Sequence, residues 1–164
     1  MDTLKELLID ELSDLYSAEN QLLKALPKMA KAAFSAGLRT AFEDHLLETE
    51  GQVARLDQIF TELGEKPKRK KCKAMEGLIE EGAEVIAAKG IPEVKDVALI
   101  GAAQRVEHYE MAAYGTTRAI AETLSLDNIA DLLQETLDEE GQADKKLNDL
   151  ATSGINNEAF MAST

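Results

Sequence analysis

Residues 98–124 read ALIGAAQRVEHYEMAAYGTTRAIAETL, and the spacing within them decides the fold class. At 3.6 residues per turn, Leu99, Ala103, Val106, Tyr114, Thr117, Ala121 and Leu124 lie along one stripe of a long helix. Glu110 falls near the middle of that stripe, and Glu107 lies one turn earlier on its flank. An ionised carboxylate on a packed helix face is costly unless something compensates it. The compensation has to come from the rest of the chain.

Working outward, Pro92 opens this helix at a position that tolerates proline. Ser125 is a candidate N-cap for a last helix over about 127–152. Ile129, Leu133, Leu137, Leu147 and Ala151 form the apolar stripe of that helix, with Glu140 at its centre and Asp144 close by. Upstream, 74–88 reads as a short acidic helix, preceded by the basic segment GEKPKRKKCK at 64–73. A helix over about 39–63 turns Phe42, His45, Thr49, Val53, Leu56 and Phe60 inward, with Gln52 on that face and Glu48 on its edge. The first helix, about 3–36, aligns Leu8, Leu12, Leu15, Leu23, Leu26, Ala30 and Ala33, with Glu19 mid-stripe and Tyr16 beside it. Pro27 predicts a kink there and Gly37 a stop. Residues 153–164 read as a frayed tail.

Four long helices with a longer excursion between the second and third predict an all-α, ferritin-like four-helix bundle in a single domain over 1–164. Two antiparallel hairpins would be joined by a crossover carrying the short extra helix. An up-down bundle with the short helix outside is the competing topology. Each long helix carries a polar residue where apolar residues belong, so the informative quantity is height. With turns near 36 and 125 at the same end of the bundle, Glu19, Gln52, Glu107, Glu110, Glu140 and Asp144 all stand roughly 22–29 Å from their turns. Glu48 is about one turn nearer its loop and within reach. The choices between Glu107 and Glu110, and between Glu139 and Glu140, depend on helix register and stay open.

Composition narrows the function classes. Hydrophobic residues make up 45 % of the 164-residue chain, enough for a real core, and the formal net charge of −13 opposes nucleic-acid binding and docking on anionic lipid. One cysteine excludes an intrachain disulfide and a cysteine-based zinc site. The N-terminus MDTLKELLIDELSD has neither a basic n-region nor an apolar h-region, and no long apolar run follows, which predicts a soluble cytoplasmic protein without a membrane partner.

Carboxylates converging in a dry bundle repel one another unless protons or cations intervene. Two divalent ions per chain would resolve the conflict, and an oxygen-rich ligand set favours Fe or Mn. The ligands expected are Glu19, Glu48, Glu110 and Glu140, with Gln52, Glu107 and Asp144 as further or supporting groups. The bland alternative is a polar layer satisfied by Arg, Lys or water that sets helix register. The Glu-x-x-His signature of di-iron bundles is absent from both expected helices. His45 falls about two turns from the acidic layer and reads as a hydrogen-bonded core or supporting residue; His108 points away from Glu110. Cys72 sits among lysines that would lower a thiol pKa, and the lysine run could meet an acidic face of a second subunit.

Several strings resemble the YciF/YciE family of bacterial stress-associated proteins, a branch of the ferritin-like superfamily. They are DLYSAE (14–19), His45-Leu46 with Glu48-Thr49, AMEGLIEE (74–81), VEHYE (106–110) and Glu135-Thr136-Leu137 with Glu139-Glu140. The resemblance implies a dinuclear metal centre, a homodimer and induction under stress in a bacterial cytoplasm. It does not supply a settled reaction. Gln52 stands where many similar sequences carry His, and Leu47 where an acid is common. A small oxidant, peroxide or dioxygen, is the expected substrate. The alternative is a stress-induced structural protein in which metal only stabilises the bundle, and a ferritin-type storage shell ranks last.

Overall fold

The computed structural model describes residues 1–164 and contains helices and connections with no strand. Helix α1 spans Leu4–Ala32, α2 Ala36–Leu63, α3 Lys73–Ala87, α4 Pro92–Thr123 and α5 Asp127–Leu150. A single π-helical turn, Ala151–Ile155, leads into α6, Asn156–Ala162. The expected all-α bundle is therefore present, with α1–α2 and α4–α5 as antiparallel hairpins and α3 in the crossover between them. No helix is long and apolar enough to cross a membrane.

Local chemistry sets the ends. Thr3 caps α1 by accepting the Glu6 N–H, and Ser35 caps α2 by accepting that of Leu38. The break between these helices thus falls at residues 33–35, and Gly37 lies inside α2 rather than stopping α1. Gly64 ends α2 in the left-handed conformation (φ 67°), which only glycine adopts without penalty. Ser125 also has positive φ (57°), so it forms the turn between α4 and α5 instead of capping α5. Pro27 is exposed and α1 runs through it to Ala32. The tail expected to fray is helical, because Ile155 and Ala159 are buried and α6 packs on α4.

The two hairpins place their turns at opposite ends of the bundle, which corrects the expectation that they share one end. The Ala33–Ser35 turn lies where α4 begins: buried Asp96 accepts the N–H of Phe34 (2.9 Å) and of Ser35 (2.6 Å). The other turn lies beside the start of α1 and the end of α2, where Ile120, Ala121 and Ile129 share an apolar cluster with Leu8, Leu12, Ile59 and Phe60. Parallel α2 and α4 require a connection that travels the length of the bundle. The crossover supplies it by climbing α1, with the Lys68 N–H on Ser13 (3.0 Å) and the Cys72 N–H on Ser17 (2.9 Å). Its lysines pair with the chain's own acids, Lys68 and Lys70 with Asp10 and Asp14, and Lys71 with Glu76. Asp96→Ala would strand two backbone N–H groups in the hairpin turn, and we expect a loss of about 2–4 kcal/mol, readable in a denaturant titration.

The core consists of two apolar clusters. One holds Leu22, Leu26, Phe42, Leu99, Val106 and Leu147; the other holds Leu15, Leu56, Tyr114 and Leu133. On every long helix the chain passes from one cluster to the other across a buried polar residue. Glu19 lies between Leu15 and Leu22, and His45 and Gln52 between Phe42 and Leu56. Glu110 lies between Val106 and Tyr114, and Glu140 between Leu133 and Leu147.

Candidate metal centre

Opposed turns change which residues share a height. Counted from the common end at Ser35, Asp96 and Leu150, His45 is about ten residues down α2, Glu107 about eleven down α4 and Glu140 about ten back along α5. These three meet, with Glu110 one turn further. One ligand atom from each of His45, Glu107, Glu110 and Glu140 lies within 4.8 Å of the other three, and all four residues are buried. His45 is therefore at the centre of the layer, and the two-turn offset inferred from spacing is wrong. The assumption of turns at one end had matched Gln52 to that height instead.

The remaining expected residues surround this cluster. Glu19 is fully buried and accepts a 2.5 Å hydrogen bond from the Tyr114 hydroxyl. Glu48 is half exposed and takes the His45 Nδ1 proton at 3.2 Å, which leaves Nε2 facing Glu107 (3.4 Å) and Glu140 (3.7 Å). Gln52 is buried and donates to Glu139 at 3.1 Å, while its carbonyl oxygen has no partner. Asp144 stands at the rim, accepting from Gln104 (3.0 Å) and lying 3.3 Å from the exposed His108. Glu139 faces outward to Arg55, which holds it through two hydrogen bonds (2.8 and 3.0 Å). Leu47 is exposed, away from the layer.

Apart from His45 no basic side chain pairs with the buried acids of the layer. The Arg55 guanidinium is engaged by Glu139, Glu135 and Thr136. Eight buried polar atoms of the layer lack any hydrogen-bond partner: one each on Glu19, His45, Gln52 and Glu107, and both carboxylate oxygens of Glu110 and Glu140. Burial, then the charge of Glu140, pushes the Glu19 carboxyl up to about 8. Burial, reinforced by Glu19, raises Glu107 to about 8 as well. Glu110 and Glu140 are held well above the ordinary carboxylate value by burial and by neighbouring acids. For His45, burial works against the imidazolium, but Glu48 and Glu140 outweigh it and raise its pKa. Without cations the layer keeps protons it would otherwise release. Cations would replace those protons, and a donor set of carboxylates, one carbonyl oxygen and one imidazole suits Fe or Mn.

Sequence reasoning missed His45 although a signal was present. His45-x-x-Glu48 puts a histidine and an acid on one helix face at i, i+3, the reverse order of the signature sought. Cys72 also departs from expectation. Its neighbouring lysines turn outward to Asp10, Asp14 and Glu76, while the thiol points inward, 3.0 Å from the Tyr109 hydroxyl. Tyr109 donates to Asp14 at 2.8 Å, so the thiol is the donor to Tyr109. Burial and the Asp14 carboxylate push the thiol pKa up, the opposite of a reactive cysteine. We expect the folded protein to react with a disulfide reagent at least about 100-fold more slowly than the unfolded chain.

Comparison with known proteins places this geometry in context. The family described as "Domain of unknown function (DUF892)" matches residues 3–160. Protein YciF of Escherichia coli (strain K12) is 52 % identical over 160 residues, covering 97 % of this chain and 96 % of that protein. The crystal structure of the E. coli stress protein YciF superposes with a TM-score of 0.92, covering 95 % of this chain and 99 % of that one. YcfI from Rhodopseudomonas palustris is 45 % identical with a TM-score of 0.87, over 90 % of this chain and 94 % of that one. A Xanthomonas campestris protein shares the fold at 16 % identity and a TM-score of 0.77, over 99 % of this chain and all of that one.

Proposed function

We propose, from the premise that this chain belongs to the DUF892 family, that it is a di-metal carboxylate protein of the bacterial stress response. The observation that carries this is the set of eight unpartnered buried polar atoms where all four long helices meet. His45, Glu107, Glu110 and Glu140 would hold one divalent ion. Glu19 and the Gln52 carbonyl, together with Glu110 or Glu140 as a shared carboxylate, would hold a second. Glu48 orients the His45 ring, and Tyr114 orients Glu19. Asp144 lies at the rim, where a carboxylate attracts cations.

A bound Fe or Mn pair would supply two redox equivalents to a small oxidant, peroxide or dioxygen. The chain's own contribution is a dry, anionic chamber between two apolar clusters, with the acids positioned by rigid helices. The exposed apolar residues Phe34, Leu47, Phe160 and Met161 offer surface for a second copy in a homodimer.

Metal analysis of protein purified without chelator tests the centre: about two ions of Fe or Mn per chain are expected. Less than about one ion per two chains, with no gain on adding Fe(II) or Mn(II), would overturn it. The position of the layer between the two core clusters also favours a second reading, in which the ions only join the helices. Mixing metal-loaded protein with peroxide separates the two. Consumption of peroxide with a change in the optical spectrum supports redox turnover, and silence in both leaves a metal-stapled scaffold.

A further inference from the structure

Away from the acidic layer, α1, α3 and α4 enclose a second cavity of about 60 Å³. Apart from Lys28 and Gly82 its walls are apolar, with Leu22 and Met29 from α1, Ile79 and Ile86 from α3, and Ala102 and Val106 from α4. In the wall from α3 only Met75 and Gly82 are fully buried, while Leu78, Ile79, Val85 and Ile86 pack partly buried against the core. A Cβ on Gly82 would meet nothing within 4 Å, so this position leaves part of the space.

The cavity shares Lys28, Ala83 and Ile86 with an open basin of about 430 Å³, whose rim also carries Lys31 and Lys95. Three lysines thus surround the mouth of an apolar cavity in a chain whose net charge is −13. Six of the ten other lysines are paired with acids: Lys68 and Lys70 with Asp10, Lys71 and Lys73 with Glu76, Lys145 with Asp149 and Lys146 with Asp44. Lys28 and Lys31 form no ion pair, and Lys95 donates only to the backbone carbonyl of Ile86, at 2.9 Å. The acids of α3, Glu80, Glu81 and Glu84, do not line either space.

A largely apolar pocket opening onto unpaired lysines suits a ligand with an apolar tail and an anionic head. We propose that this seam binds a short-chain alkyl carboxylate, its chain in the cavity and its head group held by Lys28, Lys31 and Lys95. A cavity of about 150 Å³ accepts benzene, so about 60 Å³ takes the last few carbons of a chain while the rest crosses to the lysines. The half-buried packing of α3 allows the seam to widen. The cavity shares no lining residue with the cluster of His45, Glu107, Glu110 and Glu140.

Titration of the full-length protein with hexanoate, followed by calorimetry and methyl NMR, is the test. Saturable 1:1 binding is expected, with shifts at Leu22, Ile79 and Val106, unchanged after chelation. Lys28→Gln with Lys31→Gln should weaken it about ten-fold or more, and Gly82→Leu, which fills space without disturbing the helix, should do the same. Hexyltrimethylammonium, with the same chain and opposite charge, should bind at least about ten-fold more weakly than hexanoate. Absence of saturable binding would overturn the assignment. So would equal affinity in the lysine variant or for the ammonium compound, or loss of hexanoate binding on chelation.

Discussion

The metal-free protein is expected to be most stable near pH 5 and to lose several kcal/mol of folding free energy by about pH 8. In the unfolded chain the glutamates of the layer ionise near 4.5, whereas in the fold Glu19 and Glu107 keep their protons up to about 8, and Glu110 and Glu140 are likewise held well above 4.5. Between these values the unfolded chain binds fewer protons, so stability falls as pH rises. Below 4.5 both states are protonated and the contribution is fully present. His45, also raised, acts in the same direction. The acids whose pKa is lowered, Asp10, Asp14, Glu48 and Glu76, have the opposite sign, and their contribution is lost only as pH falls below the ordinary carboxylate range. Thermal melts of chelated protein should show a drop of about 10 °C or more from pH 5 to pH 8. Saturating Mn(II) or Fe(II) should reverse the drop, because cations compete with the same protons. A flat or rising profile for the metal-free protein would mean that the acids are compensated in some other way.

Glu110→Gln combined with Glu140→Gln is expected to make the metal-free protein more stable than the parent at pH 8, by about 2–4 kcal/mol. Glutamine keeps the volume of glutamate and removes the charge that burial opposes. Its amide can also donate to the remaining carboxylates of Glu19 and Glu107. The same variant should lose the stabilisation by Mn(II) or Fe(II), since two of the four clustered ligands are neutralised. Stability at pH 8 and response to metal therefore move in opposite directions, which a purely structural role for these residues would not produce. Denaturant titrations at pH 8 with and without metal read both effects. A surface control, Glu80→Gln, should change neither by more than about 0.5 kcal/mol. A double variant less stable than the parent in chelator would argue against unpaired acids in the core.

Much of the bundle was legible because helical periodicity is a local property. The stripes around Glu19, Glu110 and Glu140 identified three buried acids from spacing alone, and all three are fully buried. Local chemistry also misled where an equally local alternative won. Ser35 with Asp96 displaced the stop expected at Gly37, and Ser125 became a left-handed turn instead of a cap. For Cys72 the lysines adjacent in sequence suggested an activated thiol, but side-chain direction sent them to Asp10, Asp14 and Glu76 and left the sulfur with Tyr109.

Periodicity and composition were sufficient to establish that each long helix carries a polar group at mid-height in an otherwise apolar stripe, since that follows from 3.6 residues per turn. They could not establish which of those groups face one another. That depends on the relative direction of the two hairpins, which is set by the crossover climbing α1 and by Asp96 holding the first turn at the start of α4. Because the layer lies near the middle of every helix, reversing one hairpin shifts the match by only one or two turns. The acids survive that shift, but His45 takes the place that spacing had assigned to Gln52.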